Sequence, residues 1–210
     1  STSIDFRLDF SQTKVMSEMG YQQFTIFGYD IDQTYFALPF STNANLGVLL
    51  SNNWFIGGGI GFGQRLPTVS ENFGFYLFNA HDGFDYLGNP DLKLEGSLNS
   101  NISIKYSQPK FKVSLNTYYN YLQNYIVGVI DPTIPQLNLY ANGLKRYQNL
   151  EHAFIFGSDL LLNWQFAESF NLLSVFKYTY ARDNEKDPLP LIPPFKNIST
   201  LNYQLNNWRF

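Results

Sequence analysis

The residues best equipped for chemistry crowd into one short stretch. Tyr76 is followed by Phe78, Asn79, Ala80, His81, Asp82, Gly83, Phe84, Asp85 and Tyr86. An imidazole, two carboxylates and several rings in one segment can recognise a polar ligand or a metal chelate, because rings supply contact area and carboxylates supply direction. The same composition also arises where a loop merely folds its own aromatics together. Tyr76, Phe78, His81, Asp82, Asp85 and Tyr86 are accordingly the candidate ligand-binding residues. The second histidine, His152, lies too far along the chain to share a ligand spacing with His81, and cysteine is absent, so neither a resident metal, a cofactor nor a disulfide is expected. No Ser/His/Asp arrangement stands out. Asp5, Asp9, Asp91 and Glu95 read as one polar surface, so no catalytic residue is assigned and no enzymatic activity is expected. The glycines at 57, 58, 59, 61 and 63 do not match a phosphate-cradling spacing. They fall inside an alternating strand, where glycine permits close approach of other material.

Composition narrows the class of protein that carries these residues. Aromatic residues make up 18% of the 210 and charged ones only 15%, against about 25% charged in an ordinary soluble domain. Mean hydropathy is -0.21, and no stretch approaches the roughly 20 apolar residues that a spanning helix requires. A helical membrane protein is excluded. The formal net charge is -3 with scattered basic residues, so nucleic acid is not an expected partner. No export signal is read at Ser1, and one is expected to have been removed or to lie upstream.

The elements that must position the candidate residues show period-two alternation, in which successive side chains point to opposite faces of a strand. From 92 to 106 the even positions read Leu92, Leu94, Gly96, Leu98, Ser100, Ile102, Ile104, Tyr106, while the odd positions are all polar. From 111 to 121, Phe111, Val113, Leu115, Thr117, Tyr119 and Tyr121 share a face. Weaker runs start near Ile4, Ala44, Trp54, Phe154, Leu172 and Leu201, giving eight strands. Short turns are expected at 51–53, 107–109, 167–169 and 206–207, and long Pro/Gly/Asn-rich segments at 11–34, 65–90, 127–149 and 182–196. This rhythm predicts an all-β fold: an antiparallel transmembrane β-barrel segment of about eight long strands, with short periplasmic turns, long extracellular loops and outer-membrane lipid as a partner. A soluble barrel alternates in the same way with its apolar face inward. Strand length, loop rhythm and the tyrosines bunched at 118, 119, 121, 125, 178 and 180 favour the membrane.

A longer signature runs through residues 64–95: Gln-Arg-Leu-Pro-Thr, then Glu71, the aromatic loop, and Gly-Asn-Pro-Asp-Leu-Lys-Leu-Glu. It resembles the barrel domain of TonB-dependent outer-membrane receptors, in which an Arg-x-Pro-Thr strand end precedes a loop and a Gly-Asn-Pro-x-Leu-x-x-Glu strand start. Tyr-Ile-Val at 125–127, Gly157 in mid-strand and the proline-rich 188–195 agree with it. The resemblance implies a 22-stranded barrel closed by a plug, with the whole of residues 1–210 forming part of the barrel domain of a bacterial outer-membrane receptor. It further implies a plug domain and a TonB complex as partners in the full-length protein, and a small-molecule or metal-chelate ligand such as a ferric siderophore. Arg65, Glu71 and Glu95 are expected to form a charge network at the barrel rim that steadies the intervening loop. The alternative is a self-contained eight-stranded barrel with a structural or adhesive role, in which the first and last strands would pair.

Overall fold

The computed structural model describes residues 1–29, 34–205, 208 and 209. In chain order the elements are β1 (Thr2–Leu8), β2 (Ser11–Thr13), α1 (Glu18–Thr25), β3 (Tyr35–Ala37), β4 (Phe40–Leu49), β5 (Trp54–Arg65), α2 (Val69–Phe73) and β6 (Leu77–Asn79). There follow β7 (Phe84–Leu87), β8 (Glu95–Ser107), β9 (Phe111–Ile130), β10 (Leu144–Ala167), β11 (Phe170–Asp183), β12 (Lys196–Leu205) and β13 (Trp208–Arg209). The main sheet runs β1-β4-β5-β8-β9-β10-β11-β12-β13, and neighbours along this path are antiparallel. Within it, tight connections alternate with long ones. This is the geometry of consecutive hairpins, since antiparallel neighbours need only a few residues to turn.

Register converts the alternation of single strands into two continuous faces. Val48, Ile56, Ile104, Leu115, Leu160 and Phe176 are successive cross-strand partners over six strands. One position away, Gly47, Gly57, Ser103, Asn116, Asp159 and Lys177 make an equally long row. Because neighbouring positions point oppositely, the wall is apolar on one side and polar on the other. Among the described residues nothing covers the apolar side: Ile60 is 57% exposed and Ile102 56%. A soluble barrel or sandwich would bury such a face. Lys177 Nζ lies 3.6 Å from Asp159 Oδ2 on the polar side, and Tyr118 reaches across to Thr179 there, its hydroxyl 3.3 Å from Oγ1. Tyr118 lies directly over Gly157, its cross-strand partner. A methyl group at 157 would collide with that ring, which accounts for a glycine in the middle of a long strand.

Several sequence-derived boundaries need correction. The long segment expected at 127–149 shrinks to 131–143, because β9 runs for 20 residues and β10 for 24. Val127, Val129 and Ile130 suit a strand, and the edge that β10 extends beyond β11 is paired by β7, so the added backbone is satisfied. Leu92 and Leu94 precede β8, which starts at Glu95. There Leu92 N–H donates to Asn89 O at 3.3 Å in a turn. The segment expected as loop at 11–34 contains α1 and, with residues just beyond, the β2–β3 pair. Ser17 caps α1 by accepting the N–H of Gly20 at 3.3 Å. The proline-rich segment folds back onto the wall, where Leu189 packs with Leu122, Ala153 and Ala181. The turn expected at 206–207 lies outside the described residues. Among the described residues β1 pairs with β4 and no other strand, at the edge opposite β13. Among the described residues the sheet is open, and they form no self-contained eight-stranded barrel.

Candidate functional site

The connection from β5 to β8 is fastened first at its root. Arg65, the last residue of β5, lies opposite Glu95, the first of β8. Its guanidinium donates to Glu95 through Nε–Oε1 at 2.9 Å and Nη2–Oε2 at 3.0 Å, and to Glu71 through Nη1–Oε2 at 2.9 Å and Nη2–Oε1 at 3.1 Å. Two bidentate pairs use the planar fork to the full. Glu95 Oε2 also accepts the N–H of Ile126 at 2.9 Å, which ties in β9. Glu71 closes the capping box of α2: Thr68 Oγ1 accepts its N–H at 3.2 Å, and its Oε2 accepts the Thr68 N–H at 2.7 Å. Partial burial pushes the Glu71 carboxyl up, but the Arg65 and Thr68 bonds outweigh it and hold the group below the usual carboxylate range.

Beyond α2 the chain forms the β6–β7 hairpin, and β7 lies parallel to β10, with Asp85, Tyr86 and Leu87 opposite Leu144, Lys145 and Arg146. Leu87 on one strand of this join and Leu144 on the other are both buried. Asp82 Oδ2 accepts from Tyr86 Oη at 2.6 Å and from Lys145 Nζ at 2.7 Å, while Oδ1 accepts the Phe84 N–H at 3.3 Å. Lys145 Nζ also stands 4.4 Å from the centre of the Phe84 ring. Burial raises the Asp82 carboxyl, yet the bonds from Lys145, Tyr86 and Phe84 leave it below its ordinary value. Burial and the bond to Asp82 push the Tyr86 phenol up to about 12. The Tyr86 ring rests on Gly128 of β9 and lies 5.2 Å from Tyr147.

The six candidate ligand residues therefore separate into distinct positions. Asp85 is fully buried, and its Oδ2 accepts the N–H groups of Leu137 and Asn138, both at 2.8 Å, which clamps the β9–β10 loop. Asp82 and Tyr86 are committed to each other and to Lys145. Tyr76, at φ 51°, joins Phe75 and Phe27 in an aromatic cluster that continues through Phe24, Phe73, Tyr29 and Tyr35. Phe24 of α1 is buried at its centre, so the first long loop is packed onto the second. Phe78 and His81 remain at the surface. Sequence reasoning missed Lys145, Arg146 and Asp131, whose Arg146 Nη2–Asp131 Oδ2 pair spans 2.8 Å at the base of the β9–β10 loop. Lys145 and Arg146 are the chain's sole adjacent cations, a signal that could have marked them. Among the described residues no cluster of His, Cys, Asp or Glu has the make-up of a metal site.

An open antiparallel wall with one uncovered apolar face and long loops knotted at one end defines the class: the wall of a membrane β-barrel. The chain belongs to the TonB-dependent receptor-like β-barrel family, whose model matches residues 4–210. It is similar to the iron-regulated outer membrane virulence protein of Vibrio cholerae serotype O1, 27% identical over 174 residues, which cover 74% of this chain and 26% of that protein. It is also similar in fold to the copper transporter OprC, with a TM-score of 0.77 and 19% identity over 99% of this chain and 30% of that one. The ferric enterobactin receptor PfeA of Pseudomonas aeruginosa matches with a TM-score of 0.65 and 22% identity over 83% of this chain and 27% of that one. The chain thus spans between a quarter and a third of the length of these proteins, and its family is one of the bacterial outer membrane.

Proposed function

We propose that this chain is the loop-bearing part of the wall of a receptor that takes up a scarce nutrient, a metal complex, across the outer membrane, working with a plug domain and the TonB complex in the full-length protein. The apolar face meets lipid, the polar face meets the lumen and plug, and the rest of the protein completes the barrel. The long loops lie outside the cell and the short turns in the periplasm. The observation that carries this reading is the join of β7 to β10, reinforced by Asp85. It welds two long loops into a preorganised surface at one end of the wall, and preorganisation lowers the ordering cost of binding. The names of the three similar proteins, which concern iron, copper and ferric enterobactin, support a metal-containing cargo.

Phe78 and His81 are the contacts best placed for ligand, with Tyr76 behind them, while Asp82, Asp85 and Tyr86 support the surface from beneath. Binding of Cu2+ and of a ferric tris-catecholate complex would be measured on the full-length receptor and on its F78A/H81A variant. Whichever probe binds should bind about tenfold more weakly to the variant, the size of a modest contact hot spot. Unchanged affinity would remove this loop from the site.

A further inference from the structure

The β11–β12 connection ends in a bulge that lies on the polar face of the wall. Asp183 N–H donates to Asp187 O at 3.1 Å, Leu189 N–H donates to Ala181 O at 3.5 Å, and Pro188 bridges to Arg182, so residues 187–189 continue the sheet along β11. Leu189, only 5% exposed, packs with Leu122, Ala153 and Ala181. These three stand an even number of positions from Asn116, Asp159 and Lys177 on their strands, with no register shift between, and therefore share the polar face. Ile192 packs against the same cluster, so the bulge is pinned to that face at both ends. Between the pins stands Leu191, at φ 60° and 95% exposed. A leucine in the left-handed region is strained, and such strain persists only where the surroundings fix it. Prolines at 188, 190, 193 and 194 fix φ and lack an amide proton, so the bulge keeps its shape without a hydrogen-bonded ladder. Among the described residues nothing covers this aliphatic tip.

We propose that Leu191 is a docking knob for the plug domain: the bulge carries it into the lumen, where an apolar notch of the plug receives it. The inference rests on the receptor reading above and names a contact within it. Lipid lies on the opposite face of the wall, so only what fills the lumen can reach the tip. A partner outside this chain is available, since the Vibrio cholerae protein and OprC are matched over only 26% and 30% of their lengths. A metal complex would find no donor atom on an aliphatic side chain, whereas a packed protein surface gains from burying a leucine. Because the bulge is already pinned and stiffened, seating its tip orders little further chain.

The test uses the full-length receptor in membranes and a bulky, membrane-impermeant maleimide. Cysteine is absent from these 210 residues, so L191C, L139C and N101C each place a thiol where the chain has none. Leu139, 94% exposed on the β9–β10 loop, is the open reference. L191C should label about tenfold more slowly than L139C, or slower still, the protection set by burying one leucine-sized side chain. A diazirine-bearing amino acid at position 191 should cross-link to peptides of the plug. L191N adds a test of sign, because asparagine takes the left-handed backbone more readily than leucine. It should raise the thermal midpoint if the tip is free and lower it if the tip is seated; a lower midpoint is expected. Equal labelling of L191C and L139C, cross-links confined to barrel strands and loops, or a raised midpoint would each overturn the proposal. If N101C, on the polar face, also labels as fast as L139C, the lumen is unfilled and the receptor reading beneath the proposal falls with it.

Discussion

Arg65 makes four guanidinium bonds to Glu71 and Glu95, and so acts as a fastener at the root of a loop. Removing it strands two partly buried carboxylates, which is the costly way to break such a network. With the arginine side chain 41% exposed, water offsets part of that penalty. R65A should lose about 2 kcal/mol, and R65K should recover less than half, because an ammonium cannot make two bidentate pairs. Hydrogen exchange at the start of β8 and at the Ile126 amide reads the difference. Asp82 and Tyr86 make the same loop dependent on pH. A carboxyl held below its usual 3.8 stabilises the hairpin above that value and loses the effect as pH falls through its lowered folded value. A phenol raised from 10.0 to about 12 stabilises it below pH 10 and loses the effect as pH climbs toward 12. Protection of the β7 amides, taken relative to the intrinsic exchange rate at each pH, should be greatest between these limits. D82N should abolish the acid limb, and a β7 protection profile that is flat across pH would refute the coupling. The cluster of aromatics, carboxylates and histidine was legible in the sequence at 76–86. Which of them face outward was not, because Asp85 is buried by Leu137 and Asn138, residues about 50 positions away.

At the scale of elements, β9 and β10 stand further out than the alternation pattern indicates. Past Tyr121 the pattern loosens at Asn124, whose φ of 51° interrupts the pleat. The outer edge of the extension is paired by tertiary structure: β7 lies parallel to the start of β10, a partner that local sequence does not announce. Gly157 was visible as an oddity in mid-strand, and its reason lies in its cross-strand partner. Placing a methyl group there forces Tyr118 aside, a mild overpacking that should cost about 2 kcal/mol. The double variant G157A/Y118A should be less destabilised than the two single changes would add up to, since the collision exists only when both groups are present. Urea unfolding of the full-length receptor gives the three numbers. Additive losses would mean that the ring and the glycine do not interact.

For the molecule as a whole, the two faces of the sheet predict opposite responses to one kind of change. A lysine at Ile102 or Ile60 places a charge on the apolar side, at a cost of about 2–4 kcal/mol where it meets lipid near mid-depth. A lysine at Asn101, one position along on the polar side, should cost under about 1 kcal/mol. Folding yield of the full-length receptor into lipid vesicles compares them, and equal losses would remove the lipid assignment. The sequence by itself determined the strands, their polarity and the rhythm of short and long connections, because alternation at period two is a local property written in consecutive residues. Tertiary structure alone decided that the sheet stays open among the described residues, that Asp85 serves as a buried clamp, and that loops distant in sequence share one aromatic core. Those features depend on which segments meet, and a meeting between residues tens of positions apart leaves no periodic trace in the chain.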